Sequence, residues 1–261
     1  MLTPAPIRVA ILCSHRAPGL LDLLERHPDG SRPYQIVAAV TSELAFDGQT
    51  RVAAHGVPTR AHAIHEFYRR RGANVYRDFR ARAAFDRETV RILARYSPDL
   101  VLLDGYLYLA TRELLDAYPA RVLNLHFSDL TLRHPDGRPL YPGIRAVRDA
   151  LVDGRPSTRA TVHLVDREPD GGAPVVTSWP FPVSPLAADA LVLEAREMFN
   201  AYVFAHQEWM IRAASGPLLA SALRMIADGT VDLHALAAAD PAAVTPSTVN
   251  PHGYITYRHA A

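Results

Sequence analysis

Short apolar runs of strand type alternate with segments of helical period through the first half of the chain, and no other feature limits the fold so tightly. Residues 7–13, Ile-Arg-Val-Ala-Ile-Leu-Cys, read as a buried strand, and residues 18–26 as a helix with leucines at 20, 21, 23 and 24. A second strand is expected over 34–41 and a short third one over 57–60. Between 75 and 96, Phe79, Ala83, Val90 and Leu93 recur at helical intervals among arginines and acids, so a long amphipathic helix is predicted, stopped by Ser97-Pro98. Strands over 99–103 and 121–126 follow. Strand-helix-strand order of this kind predicts an α/β fold, a doubly wound and mostly parallel sheet that binds ligands beyond the carboxyl ends of its strands.

The second half departs from that rhythm. A helix over 144–152 is closed by Asp153-Gly154, and residues 158–165 and 174–183 read as a strand pair with Asp170-Gly171-Gly172 in the turn between them. An almost unbroken helix is expected over 185–214 and another over 217–228, with a tail from 241 to 261 that wraps the surface. Residues 1–183 thus form an α/β domain, and 184–261 supply helices and a tail packed on the same domain. Met198, Phe199, Tyr202, Phe204 and Trp209 give the long helix an aromatic face, which serves as core or as a dimer contact, so a homodimer stays open.

Charge and cysteine content narrow the function. Basic and acidic residues number 28 and 27, and no like-charged block exceeds Arg69-Arg70-Arg71, so no stripe suits a phosphate backbone and nucleic acid is not an expected partner. The first residues lack the basic and apolar regions of a signal peptide, and no apolar run is long enough for a membrane. A soluble cytoplasmic protein is expected. The single cysteine, Cys13, excludes an intrachain disulfide and a cysteine-rich zinc site, and no metal is expected. Every basic residue is arginine, which removes Schiff-base catalysis and a P-loop lysine.

Candidate chemistry gathers at two places. Asn124 and His126 stand two apart on a strand, so both side chains leave it on one side. An amide there can hold a carbonyl oxygen and an imidazole can donate to a developing oxyanion, while Asp170 can fix the imidazole's charge and collect a proton. That division of labour suits transfer of a small acyl group. The plainer alternatives are a polar strand end and, for Asp170 in Pro-Asp-Gly-Gly, a structural turn.

Taken together, Val122-Leu-Asn-Leu-His126, Tyr141-Pro-Gly143 and His163 followed seven residues later by Asp170-Gly-Gly resemble the formyltransferases that use 10-formyltetrahydrofolate, with order and spacing most similar to the glycinamide ribonucleotide transformylase branch. The resemblance implies that Asn124 and His126 hold and polarise the formyl group. It implies that Asp170 pairs with the histidine, keeps it charged, and accepts the amine's proton directly or through water. His163 either positions the site or satisfies a buried hydrogen bond. Leu103, Asp104, Gly105, Tyr106, Leu107 and Leu109 fall on the folate loop, with Gly171 also at the cosubstrate. Asp104 stands where a small residue is usual, and Tyr108 where that branch has arginine.

On the acceptor side the resemblance points to Ser14, Arg16 and Gly143. Cys13-Ser-His-Arg-Ala-Pro-Gly19 replaces the branch's Gly-x-Gly-Ser-Asn phosphate turn, so a small-molecule amine is implied without fixing the purine-pathway substrate. Residues 127–140 are longer than the matching linker and are expected to overhang the acceptor side, with Arg133, His134, Asp136 and Arg138 either recognising an acceptor or merely solvated. Alternatives to transfer are hydrolysis of 10-formyltetrahydrofolate, with water in place of the amine, and a folate-binding protein without turnover.

Overall fold

The computed structural model describes residues 5–26, 32–74 and 77–250, and the backbone of 255–256. Its first half runs β1 (Ile7–Cys13), α1 (Leu20–Glu25), β2 (Tyr34–Thr41), α2 (Gln49–Ala54), β3 (Thr59–Ala61), α3 (Ile64–Arg70), α4 (Phe79–Ala94), β4 (Leu100–Leu103), α5 (Arg112–Ala117) and β5 (Val122–His126). The sheet order β3-β2-β1-β4-β5 is parallel throughout. Alternate residues of β1 explain its nearly continuous apolar sequence. Val9, Ile11 and Cys13 enter one core with α1, while Ala10 and Leu12 enter another with Leu93 and Leu114 of α4 and α5. Both faces are covered, so both need apolar side chains.

The long helix predicted over 75–96 is α4, begun by Asp78, whose carboxylate accepts the Ala81 N–H at 2.8 Å; Val75 and Tyr76 lie outside the described residues. The third strand falls at Thr59–Ala61, slightly later than predicted, just past Pro58.

Downstream come α6 (Ala146–Val152), β6 (Ser157–Thr158), β7 (Thr161–Leu164), β8 (Pro174–Ser178), β9 (Phe181–Pro182), α7 (Pro185–Val192), α8 (Arg196–Ala227), α9 (Leu233–Ala238), β10 (Ser247–Val249) and β11 (Ile255–Thr256). Strand β7 joins β5 antiparallel and β8 returns against β7, so the sheet continues β5-β7-β8-β10-β11. The strand pair predicted over 158–165 and 174–183 divides in two, because β6 and β9 form a separate two-stranded sheet beyond Trp179-Pro180, where proline offers no ladder donor.

Two expectations for the C-terminal part are corrected. Helix breaks fall at residues 193–195, where Glu194 has φ +52, and α8 then continues straight through Pro217. An interior proline costs about 3 kcal/mol. Every residue from Ala214 to Leu223 is buried, and that contact outweighs the local cost. The tail does not simply wrap the surface either. Strand β10 pairs in parallel with β8 and extends the sheet; residues 251–254 and 257–261 lie outside the described part. Among the described residues no helix is long and apolar enough to cross a membrane.

Candidate active site

A cavity of about 450 Å³ opens where the parallel sheet reverses its winding, beyond the carboxyl ends of β1, β4 and β5. Its walls include Arg16, the loop from Gly105 to Ala110, Asn124, His126, Gly143, His163 and Asp170. Register brings the first pair together, since Asn124 lies directly across from His163 in the antiparallel β5–β7 ladder.

The hydrogen bonds fix how these groups are presented. The Leu164 carbonyl accepts from His163 Nδ1 at 2.7 Å, so Nδ1 carries the proton and Nε2 is a lone pair. That lone pair accepts from Asn124 Nδ2 at 3.1 Å, leaving the amide's second N–H for another acceptor. Asp170, at φ +55, accepts the Gly143 N–H through Oδ2 at 2.7 Å. The same oxygen lies 3.5 Å from His126 Nε2, and Oδ1 lies 3.7 Å from His163 Nε2. His126 Nε2 itself is buried and has no hydrogen-bond partner. A buried polar atom without a partner, beside a carboxylate and a free amide N–H, is an arrangement waiting for a ligand oxygen.

Burial decides the charge of the two imidazoles. Desolvation pushes His126 below its ordinary value, and Asp170 and the Tyr141 backbone offset this only in part. The resemblance implied a charged His126; in the free protein the neutral form prevails at pH 7, because loss of water outweighs the nearby carboxylate. His163 is pushed down to about 4, again by desolvation first. Cys13 is buried and its thiol is pushed up to about 12 by desolvation and then Asp104, so it is no nucleophile.

A family model described as formyl transferase matches residues 7–210.

The chain belongs to the formyl transferase family.

It is 35% identical over 105 residues to phosphoribosylglycinamide formyltransferase of Escherichia coli (strain K12), a match spanning 40% of this chain and 45% of that protein. It is 32% identical over 179 residues to the enzyme of the same name from Mycobacterium tuberculosis (strain ATCC 25618 / H37Rv), spanning 69% of this chain and 73% of the relative. The chain therefore spans less than half the length of the E. coli relative and more of the mycobacterial one. Among solved structures, glycinamide ribonucleotide transformylase 1 from Symbiobacterium toebii superposes with a TM-score of 0.67 at 25% identity, covering 86% of this chain and 89% of that one.

Several residues singled out by the sequence sit in the cavity wall. Leu103, Gly105, Tyr106, Leu107 and Leu109 line it, and Leu107 and Leu109 are exposed, as an open apolar wall requires. Gly105 has φ +75 and passes so close to the Arg16 carbonyl that a Cβ would collide with it. Arg16 also lines the cavity, with its guanidinium held by Glu208 of α8 at 2.6 Å.

Three others are placed elsewhere. Asp104 is fully buried behind the wall, where Oδ2 accepts the Gly19 and Leu20 N–H groups at 2.9 and 3.0 Å; burial pushes its carboxyl up to about 7. Ser14 is buried too, its Oγ engaged by Ser42 and by the Leu107 N–H. Gly171 stands outside the lining, and its carbonyl accepts from Arg133. These three brace the walls through those bonds, and the second carboxylate oxygen of Asp104, Oδ1, is buried without a partner. Of residues 127–140, Phe127 lines the cavity and the rest do not overhang it: His134, Asp136 and Arg138 face solvent, and Arg133 turns toward the Asp170 turn.

Sequence reasoning missed the supports on α4 and the wall from α8. Arg82 donates to the Leu109 carbonyl at 3.0 Å and the Tyr106 hydroxyl at 2.9 Å, and pairs with Asp86 at 2.6 Å. Asp86 in turn accepts from the Thr111 N–H and hydroxyl. Their four-residue spacing on one helix face was the available signal. Gln207 and Ile211 of α8 line the cavity from far along the chain, and nothing local announces them.

Proposed function

We propose that this chain moves a formyl group from 10-formyltetrahydrofolate to an amine of a small-molecule acceptor. One observation carries the reading: the unpartnered His126 Nε2, the free N–H of Asn124 and the Asp170 carboxylate converge on one point, beside the apolar wall formed by Leu107 and Leu109. The pterin would lie along the Gly105–Leu109 loop, with its formyl carbonyl between Asn124 and His126.

Attack by the amine nitrogen forms the new C–N bond and drives negative charge onto the formyl oxygen. Asn124 donates to that oxygen. As the charge develops, the amine's proton passes by way of Asp170 to the neutral His126 at Nε2, 3.5 Å away, so the imidazolium donates to the oxygen only once the intermediate forms. Asp170 collects the amine's proton directly or through one water. Collapse breaks the bond to N10, and the proton ends on N10 of tetrahydrofolate.

The test is incubation with 10-formyltetrahydrofolate and a panel of primary amines, following tetrahydrofolate release and product mass. Formylated amine is the expected product, and Asn124→Ala or His126→Ala is expected to slow its formation by roughly a hundredfold or more. Formate release without any amine would instead assign hydrolysis, and folate binding without formyl loss would assign a binding protein. Wild-type turnover in either alanine variant would sink the assignment of these residues.

A further inference from the structure

Residues 132–140 fold into a braced hairpin. His134 N–H bonds the Arg138 carbonyl at 2.8 Å, Gly137 N–H the His134 carbonyl at 2.9 Å, and Leu140 N–H the Leu132 carbonyl at 2.9 Å. Leu132 and Leu140 pack beneath it on Tyr141 and Ala146, which fixes the hairpin to the protein. From this base Arg133 reaches across to the turn that carries Asp170. Nη1 donates to the carbonyls of Gly137 at 2.9 Å and Gly171 at 3.1 Å, and Nη2 to those of Gly171 at 3.1 Å and Gly172 at 3.4 Å. A planar guanidinium presents these donors in fixed geometry, so one side chain joins the hairpin to two successive carbonyls.

Asp170 needs such a hold. Its φ of +55 is a sparsely populated conformation for a residue with a Cβ, which persists where the surroundings over-determine it. Its own carboxylate is tied to the Gly143 N–H, but that bond fixes the side chain and leaves the following carbonyls unheld.

We propose that Arg133 is a positioning residue: by clamping the Gly171 and Gly172 carbonyls it holds Asp170 at the place beside His126 and Gly143 where the amine's proton is collected. The catalytic part of this statement rests on the proposed formyl transfer; the geometric part does not. Arg133→Ala is expected to lower kcat about ten- to hundredfold, the cost of misplacing a reacting group by about an ångström, with the KM for 10-formyltetrahydrofolate nearly unchanged. Added guanidinium ion should restore part of the rate. Arg133→Lys, which keeps the charge and loses the fork, should remain impaired.

The second readout is the titration of the His126 imidazole by NMR, with Asp170→Asn as the reference for losing the carboxylate. Asp170 raises the His126 proton affinity and Arg133 is not among the groups acting on it, so a displaced Asp170 moves the titration further down, toward the reference. An unchanged His126 titration in a folded variant overturns the proposal, as does a donor KM that rises as much as kcat falls. If Arg133→Ala does not fold, Arg133→Lys is judged by the same two readouts. Should the wild type transfer no formyl group, the functional reading falls while the titration still decides the placement of Asp170.

Discussion

At the scale of single residues, His163 has both ring nitrogens committed to hydrogen bonds. Its Nε2 accepts from Asn124, so protonation of the ring removes the acceptor and releases the amide. Burial pushes His163 down to about 4, and His62, stacked on Phe85, is likewise pushed down to about 4 by desolvation. Both rings ordinarily titrate at 6.5, so between 6.5 and about 4 the unfolded chain binds more protons than the folded one. Stability is therefore full above 6.5, falls as the pH drops toward about 4, and levels off below it with respect to these two groups. Urea midpoints measured across that range should decline, and His62→Phe should flatten part of the decline. That Asn124 and His126 leave the strand on one side was legible in the sequence, because alternation along a strand is written there, whereas Asp170 entered through the family resemblance. The neutral state of His126 was not, since burial belongs to the packed molecule.

At the scale of elements, helix α4 and the loop after β4 act as a unit. Arg82 and Asp86 are both buried, and together they bind Tyr106, Leu109 and Thr111, the two ends of the proposed folate wall. Removing one partner of a buried pair leaves the other charge uncompensated and typically costs about 3–5 kcal/mol. Arg82→Met should therefore lower the melting temperature strongly and raise the KM for 10-formyltetrahydrofolate more than it lowers kcat. Replacing both Arg82 and Asp86 with apolar residues should cost less than the sum of the single changes, which a double-mutant cycle in denaturant would measure. The four-residue spacing was visible in the sequence. That Arg82 turns inward to meet a loop two dozen residues away was not, because amphipathic patterning alone places an arginine on the solvent side.

At the scale of the whole molecule, α8 ties the C-terminal part to the first helix and to the cavity. Gly216 lies so close to α1 that a Cβ would collide with the Asp22 side chain. Gly→Ala inside a helix ordinarily gains roughly 1 kcal/mol, whereas overpacking a fitted contact costs roughly 1–3 kcal/mol. The contact involves the Cβ of Asp22 as well as its carboxylate, so rotation of the side chain does not relieve it. Gly216→Ala should accordingly lower the denaturation midpoint, and an unchanged midpoint would show that α1 yields easily.

The sequence by itself determined the α/β class and nearly all of the parallel strands, because strand period and turn chemistry are local properties, while Asn124, His126 and Asp170 were implied together only through the family resemblance. Tertiary structure alone decided that α8 passes through Pro217, that β10 joins the sheet edge, that Asp104 and Ser14 brace the walls of the cavity, and that Arg133 faces the Asp170 turn. In each of these cases burial or a partner distant in the chain outweighs the local preference, and neither is written in the neighbouring residues.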